Sequence, residues 1–552
     1  MALENLNRFV KNPINLDISR SRFKRPFTHK TTFKSGRLIP IFCDEVLPGD
    51  TFELKWSSVI RMLTPAVPVM DNAFLDMYFF FVPNRLCTYQ PNDWQKIVGE
   101  NTSGYWAPST ESTLSNTSNT FTLYGRTVAS QSCGNYLGLP IVNATGSRWN
   151  DLPISLMPFN GLIRIWNEWF RDQNTQAPKG LLYSGSSAIN EYLTSTLRVN
   201  RLHDYFTSAL PAPQKGASVL LPIAGSAPVK TKAGLTVTGA QEPLAMVDST
   251  TGDVGTGGLL GLDGAQLKAW DATGSAEVSG GSSYYPANLY ADLATATAAS
   301  VNEMRQAFAI QRLLEADARG GSRYREILKA HFGVTIPDLT VQVPEYLGGK
   351  RIPLNITQVL ATAEGTSTPL GKTGAFSNTS SSDFGFIKSF SEYGFVYGVC
   401  CVRTEQSYSQ GVPKMFTRNR RYDWYWTKLA NIGEQPIMSR ELFVYNNPGT
   451  NDFTQVFGYQ EAWADYRFKP NMVTGNLAPN ANDSTLTSWT YTNKFTTIPV
   501  LNTAFMEQPS SQIGDTLVVT NTEQQFVADF YFDLTCTRPM PLYSIPGLID
   551  HH

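Results

Sequence analysis

Long hydrophobic runs and charged residues are both scarce in this chain. The most apolar run, residues 74–82, is interrupted by Asp76 and is far shorter than the ~20 residues that span a bilayer, so we predict no membrane insertion. Charged residues make up 16% of the 552 residues, against about a quarter in an average soluble protein. A surface so rich in uncharged polar groups is better suited to packing against neighbours than to a dilute, self-repelling monomer.

The motifs of common catalytic and metal sites are also missing. The five histidines show no His-Glu-x-x-His spacing, the six cysteines show no Cys-x-x-Cys spacing, and no Gly-x-Ser-x-Gly occurs. Residues 365–373 have five residues between their glycines where a phosphate-binding loop needs four, which misaligns the backbone N–H groups. We therefore predict no enzyme activity and no catalytic, cofactor-binding or metal site.

The cysteines fit a role in packing. We expect all six to be reduced and mostly buried, as small apolar residues in a cytosolic protein. Cys400 and Cys401 are adjacent in a strand pattern, so their side chains should point to opposite faces.

One pair of carboxylates has a spacing that could serve a glycosidase. Glu461 and Asp465 are four residues apart, and glycoside hydrolysis needs two carboxylates ~5–10 Å apart in a cleft. They lie among Trp463, Tyr466 and Arg467, where ion pairing and aromatic packing also explain them. A β-sandwich glycosidase is therefore the enzymatic alternative.

Short strands joined by long connections dominate the pattern. Aromatic residues make up 12% of the chain, with 33 prolines and 42 glycines, which favours many short strands over stacked helices. Strands are predicted over 37–46, 51–63 and 73–82, and both faces of the third are apolar, as in a strand buried on both sides. Residues 395–402 predict another buried strand.

The C-terminal segment gives the clearest strand pattern. Every second residue from Phe526 to Cys536 is apolar, while Asp529, Tyr531 and Asp533 point the other way. This period of two is typical of a half-buried strand in an antiparallel sheet. Strands at both ends of the chain, with long segments between them, predict a β-barrel or jelly roll whose first and last strands are neighbours.

Helices and a large insertion separate the strands. A helix is predicted from Asn160 as its N-cap, and a helical pair over 300–333 ends at Gly333. Residues 215–299 are rich in Gly, Ala, Thr and Ser, which indicates a surface insertion rather than an independent globular domain. We therefore predict a single domain over 36–552 that contains both, preceded by an arm over 1–35.

The arm is basic and poor in periodic structure. Residues 1–40 carry nine cations against Glu4 and Asp17, a charge of +7, and the remainder carries −8. Phe23 and Phe27 alternate with these cations. Cations neutralise phosphates while rings stack on unpaired bases, so the arm is a candidate for binding single-stranded nucleic acid. The candidate residues are Arg8, Lys11, Arg20, Arg22, Lys24 and Arg25. Two alternatives stay open: these cations pair with the acidic body of a neighbouring subunit, or the arm is a solvated tail.

Several blocks, in order, resemble the major capsid proteins of microviruses of the gokushovirus type. They cover most of the chain and lie at 38–50, 70–83, 204–216, 319–324, 344–349, 432–436, 457–467 and 543–552. Ala212 departs from the pattern, because an aromatic residue is expected there in many relatives.

The resemblance implies a fold and a role. The fold is an eight-stranded viral jelly roll, and the role is that of a virion protein with sixty copies in a T=1 icosahedral shell, built from pentamers around circular single-stranded DNA. It also implies assembly in the cytoplasm of a bacterial host with scaffolding and minor virion proteins. The insertion would rise at the threefold axes and meet a host surface receptor.

The alternative from another class is a phage or bacterial β-sandwich receptor- or carbohydrate-binding protein, which leaves the basic arm unexplained.

Overall fold

The computed structural model covers two compact units. It describes residues 19–217, 219 and 301–543, with gaps at 91, 99–117, 144–151, 339, 363, 366–368, 445–453, 480–485 and 520–523. Between 220 and 300 it describes only seven short strands. One unit, the body, runs to Pro213 and resumes at Asp317, and the other is Gln214–Ala316. The eleven residues of the C-terminal strand pattern and the strands predicted near the start all lie in the body.

Nine of the described strands build the two large sheets of the body. They are β1 (Ser21–Lys24), β2 (Phe27–Phe33), β3 (Ile39–Val46), β4 (Thr51–Met62), β5 (Ala73–Pro83), β6 (Glu345–Pro353), β7 (Thr379–Ser389), β8 (Gly394–Thr404) and β9 (Phe526–Arg538). The predicted strands over 37–46, 51–63, 73–82 and 395–402 correspond to β3, β4, β5 and β8. At the first turn Gly49 has φ +87°, a conformation that favours glycine.

The strands form two antiparallel sheets. In the first sheet the order is β1-β9-β4-β7. Strand β2 pairs with the same edge of β9 as β1 does, next to β1 along that edge. In the second sheet the order is β6-β5-β8-β3. Successive strands along the chain often change sheet, as β2, β3, β4 and β5 do, which is the connectivity of a jelly roll.

The predicted mainly β, eight-stranded fold is confirmed. The nine strands occupy eight positions in the two sheets, because β1 and β2 lie end to end along one edge of β9. The first and last strands are neighbours, because β9 pairs with both β1 and β2. The two sheets are separate in the described part of the chain, so the fold is a sandwich with insertions and not a closed barrel.

One hydrophobic core lies between the sheets. It includes the inward residues of β9 from Phe526 to Cys536, all nearly inaccessible, as the alternating pattern predicts. Rings from opposite sheets meet there: Phe42 lies 5.4 Å from Phe532, and Phe79 lies 5.8 Å from Phe386, centroid to centroid. Packing of this density between two sheets is the main source of stability in a sandwich.

A second core covers the outer face of the second sheet. Helix α1 (Met157–Ile165) and the π-helical turn Trp166–Phe170 pack against Phe80, Tyr397 and Cys401. Cys400 belongs to the first core and Cys401 to the second, so their opposite orientation is confirmed. The outward side chains of the first sheet are instead largely exposed, among them Val59 and Tyr531.

The prediction that Asn160 caps a helix is wrong. The helix begins at Met157, with Pro158 in its first turn, where a missing N–H costs nothing. Asn160 is fully buried inside it and bridges two segments. Its Nδ2 donates to the carbonyls of Cys87 (2.9 Å) and Leu182 (3.1 Å), and its Oδ1 accepts from the N–H of Leu182 (2.7 Å).

The predicted helices over 300–333 are present. They are α2 (Val301–Gly320) and α3 (Tyr324–Phe332), and Gly333 ends α3 with φ +69°. The other short helices of the body are Asn84–Cys87, Asp93–Ile97, Cys133–Tyr136, Ile189–Thr194, Ala464–Arg467, Thr503–Met506 and Ser511–Gly514. Its other short strands are Thr120–Phe121, Ile154–Ser155, Ile356–Leu360, Thr373–Ser377, Ser407–Tyr408, Glu434–Met438, Val456–Glu461 and Asn471–Met472.

The second unit contains short antiparallel strands followed by most of α2. The strands are Val229–Thr231, Met246–Asp248, Val254–Gly255, Leu259–Asp263, Gln266–Trp270, Tyr284–Pro286 and Leu289–Ala291. This unit, Gln214–Ala316, extends beyond the predicted insertion of 215–299 because it includes helical residues.

The cysteines are free, as predicted, and five of the six are buried. Burial raises the pKa of the Cys133 thiol to about 12, and it raises that of Cys401 to about 12. These thiols are therefore protonated and unreactive at neutral pH.

Candidate nucleic-acid interface

Part of the predicted basic arm belongs to the first sheet. Residues 21–24 and 27–33 form β1 and β2, which pair with the full length of β9, so the prediction of little periodic structure is wrong for them. The physical reason is the long strand β9, whose N–H and C=O groups on that side need partners. Arg8 and Lys11 lie outside the described residues.

The rings of the arm pack against rings of the sandwich. Phe27 stacks on Phe42 at 5.7 Å and on Phe532 at 5.2 Å. Phe33 is fully buried against Phe526 at 5.4 Å. Phe27 contacts two rings of the core and is still 39% exposed, so only part of its ring is accessible to a base.

Three of the predicted cations have partners within the chain. Arg20 donates to the Gly49 carbonyl and to Thr51 Oγ1 (3.0 Å). Arg22 pairs with Glu53 at 3.2 Å. Arg25 pairs with Asp44 at 2.5 Å; burial lowers the pKa of Arg25, but the Asp44 carboxylate outweighs it, and the pKa lies above its usual value.

These ion pairs are weak constraints where they are exposed. The Arg22 side chain is 63% exposed, and surface pairs of this kind contribute only ~0–1 kcal/mol. A phosphate could replace Glu53 at little cost. Arg25 is more enclosed and pairs in bidentate fashion, with its second contact to Asp44 at 3.3 Å, so it serves the fold.

The outer face of the first sheet gathers further cations. On β1 the alternation places Phe23 inward and Arg22 and Lys24 outward, and Lys24 is exposed. Exposed cations also project from β2 and β4 on this face: Lys30, Lys55 and Arg61. Acidic residues of the same face are Glu53, Asp529 and Asp533, which leaves a net charge of +2.

Aromatic rings are exposed among these cations. Tyr531 lies opposite Ser57 of β4 and Thr28 of β2, and Phe384 lies opposite Lys55. Both rings are nearly half exposed. Exposed rings beside exposed cations can hold single-stranded nucleic acid without sequence preference.

Sequence reasoning missed Lys30 as a site residue, as well as Lys55, Arg61, Tyr531 and Phe384. The alternation in β4 and β9 was a usable signal, because it marks Lys55 and Tyr531 as outward. Their meeting on one face required the register of strands that are ~470 residues apart in sequence.

The paired carboxylates are engaged by cations. Glu461 pairs with Arg467 at 2.5 Å. Asp465 pairs with Arg418 and lies 3.9 Å from Lys414. The interpretation of Glu461 and Asp465 as structural ion pairs is confirmed by these contacts.

No helix in the described part of the chain has the length and apolar character needed to cross a membrane.

Comparison with known proteins covers almost the whole chain. Residues 14–548 match the family model "Capsid protein (F protein)". Capsid protein VP1 of Bdellovibrio phage phiMH2K is 38% identical over 548 residues, which cover 98% of each chain. Capsid protein VP1 of Chlamydia phage 1 is 34% identical with 98% of each chain covered, and VP1 of Spiroplasma virus 4 is 33% identical with 96% covered.

These matches confirm the resemblance to gokushovirus-type microvirus capsid proteins. They also confirm a structural protein rather than an enzyme, and a component of the virion. Coverage from near the first residue to near the last includes the sandwich and the segments inserted in it. This chain belongs to the F protein family of phage capsid proteins.

Proposed function

We propose that this chain is the major subunit of a small T=1 icosahedral shell in which sixty copies enclose circular single-stranded DNA. The observation that carries this is the jelly-roll sandwich in a chain that matches capsid relatives over 98% of both lengths. Pentamers would form first in the bacterial cytoplasm, with scaffolding and minor virion proteins. The low charge of the chain, 16%, suits surfaces that become buried against other copies.

Sedimentation of the purified native protein, with electron microscopy of the sedimenting fraction, tests this function. We expect closed icosahedral particles, or pentamers where a scaffold is absent. A stable 61.1 kDa monomer or a trimer that binds glycan would contradict the proposal. That result would favour the alternative, a β-sandwich receptor- or carbohydrate-binding protein.

The genome contact of this proposal is the outer face of the first sheet together with the N-terminal segment. The face supports it because Lys24 and Lys30 are exposed on the same face as Tyr531. Arg8 and Lys11 of the segment would add to the same charge, whereas Arg20 and Arg25 serve the fold through Thr51 and Asp44.

Replacement of Lys24 and Lys30 by Gln should weaken binding of single-stranded DNA. Each phosphate contact contributes about −0.7 to the log–log salt slope for single strands, so two lost contacts reduce it by about 1.4. The measurement is a salt titration of a fluorescent oligonucleotide with the purified chain. Lys372→Gln with Lys494→Gln, which removes the same charge at exposed positions elsewhere, is the matched control. An unchanged slope for the first variant would contradict the role of this face.

A further inference from the structure

A connection of the body, residues 413–432, exposes an unusual number of aromatic rings. We call it the aromatic connection. It contains three single-turn 3-10 helices, Lys414–Phe416, Arg421–Asp423 and Thr427–Leu429. The whole stretch 411–436 is described, and not one of its residues is buried. Its apolar side chains therefore contribute little to the core of their own subunit.

The exposed rings form a broad apolar surface. Phe416 is 72% exposed and Tyr422 is 70% exposed. The other exposed rings of the connection and of the adjacent segment are Trp424, Tyr425, Trp426, Tyr466 and Phe468. With about half of ~200 Å² free on each of these seven rings, the exposed area is on the order of 700 Å². This summed area approaches the ~800 Å² that one partner buries in a standard interface.

The body holds these rings in place. Arg418 pairs with Asp465, donates to the Asp423 carbonyl (2.9 Å) and lies 4.3 Å from the centre of the Tyr466 ring. Trp463, which is buried, donates from Nε1 to the Leu429 carbonyl at 2.8 Å. The surface is therefore arranged before any partner arrives, which lowers the entropy cost of association.

Further contacts link the rings to one another. Tyr425 lies 5.6 Å from Trp463 and 6.4 Å from Tyr466. The guanidinium of Arg421 lies 5.2 Å from the Trp426 ring, whose Nε1 donates to the Arg421 carbonyl at 3.0 Å. These contacts group Trp424, Tyr425 and Tyr466 around Arg418, and Tyr422 and Trp426 around Arg421.

The charge of the aromatic connection opposes that of the remaining chain. The connection carries five cations against Asp423, a charge of +4. Since the whole chain carries −1 and residues 1–40 carry +7, the remainder carries −12. Outside this connection and its N-terminal segment, a second copy of the chain therefore carries a net charge opposite to that of the cations around these rings.

We propose that the aromatic connection is a contact surface for a second copy of this chain. Trp, Tyr, Phe, Met and Arg are the residue types enriched in protein interfaces and in their energetic centres. Met415 and Ile432 are exposed beside the rings, and such aliphatic groups favour a protein partner over stacked bases. The inference rests on the proposed function, a shell of many copies, and assigns one of its contacts.

The test removes two rings that are almost free of contacts within the subunit. Phe416→Ser with Tyr422→Ser should reduce association of the chain at least ~10-fold, because loss of a central ring costs at least one decade in affinity. Phe332→Ser with Tyr124→Ser is the matched control, since these residues are 74% and 67% exposed and lie outside the connection. Both variants are compared with the native chain by analytical ultracentrifugation, and their folding is checked by thermal unfolding.

Each outcome decides a separate point. Weak association of the first variant, with native thermal unfolding and a normal control, supports the proposal. Native association of that variant overturns it, and if DNA binding falls instead, the surface is a base-stacking platform. If the double variant fails to fold, Met415→Lys provides the test, because it places a charge in the same surface without removing a ring. Native association of Met415→Lys would then overturn the proposal. A native chain that does not associate would contradict the proposed function and not this inference alone.

Discussion

Deletion of residues 216–299 is expected to leave particle assembly intact and to abolish attachment to the host cell. The insertion belongs to a second compact unit, Gln214–Ala316, and the two sheets of the sandwich contain none of its described strands. The body therefore keeps the hydrophobic cores on the two faces of the second sheet when the insertion is removed. If the insertion presents the receptor-binding surface, loss of attachment should be complete rather than partial.

The geometry of the second unit shows how the gap can be closed. The N–H of Lys215 donates to the carbonyl of Leu314 (3.3 Å), so the chain enters the unit beside the helix α2. Leu314 is thirteen steps along the helix from Val301, a distance of roughly 20 Å at ~1.5 Å per step. A Gly/Ser linker of about ten to twelve residues spans it without strain.

Two measurements separate the consequences of this deletion. Electron microscopy counts closed particles, and a cell-binding assay with labelled particles measures attachment. A smaller deletion that removes only the hairpin of Leu259–Asp263 and Gln266–Trp270 serves as a control for the linker design. Loss of particles would show that the insertion takes part in assembly, and retained attachment would place the receptor contact elsewhere.

Replacement of Asp76 by Ala is expected to destabilise the subunit by about 3–5 kcal/mol. Asp76 lies on β5, is 1% exposed, and accepts from two guanidinium groups. Arg351 donates from Nε to Oδ1 at 2.6 Å, and Arg403 donates from Nε to Oδ2 at 2.9 Å. Arg403 also donates to the Tyr78 hydroxyl at 2.7 Å.

The size of this effect comes from the cations that remain. Without Asp76 two guanidinium groups face each other, and the Arg403 side chain is only 13% exposed to water. An uncompensated buried charge costs far more than the loss of the pair itself. The free energy of unfolding in urea, measured on the soluble subunit, gives the value.

An exposed carboxylate of the first sheet provides the control for Asp76. Asp383 pairs with Lys350 at 2.8 Å, with both side chains about 40% exposed. Asp383→Ala should change stability far less than Asp76→Ala, because solvent screens an exposed ion pair. Equal effects of the two substitutions would mean that the pair on β5 is not buried in solution.

Features with a local cause could be derived from the sequence. The alternation from Phe526 to Cys536 determines both faces of β9, because the pleat requires only neighbouring residues. The end of α3 at Gly333 is equally local, since glycine adopts φ +69° without strain. The ordered blocks at 38–50, 70–83 and 457–467 were sufficient for the family.

Other features depended on partners far along the chain. Local patterns were sufficient for the strand alternation, the helical pair and the capsid family. The fold was needed to show that β1 and β2 complete the edge of β9, that Asn160 is a buried bridge, and that Arg22 pairs with Glu53. It was also needed to show that no residue of the aromatic connection is buried. The reason is that burial and pairing are set by contacts between segments up to ~500 residues apart, which local patterns of hydrophobicity and charge do not contain.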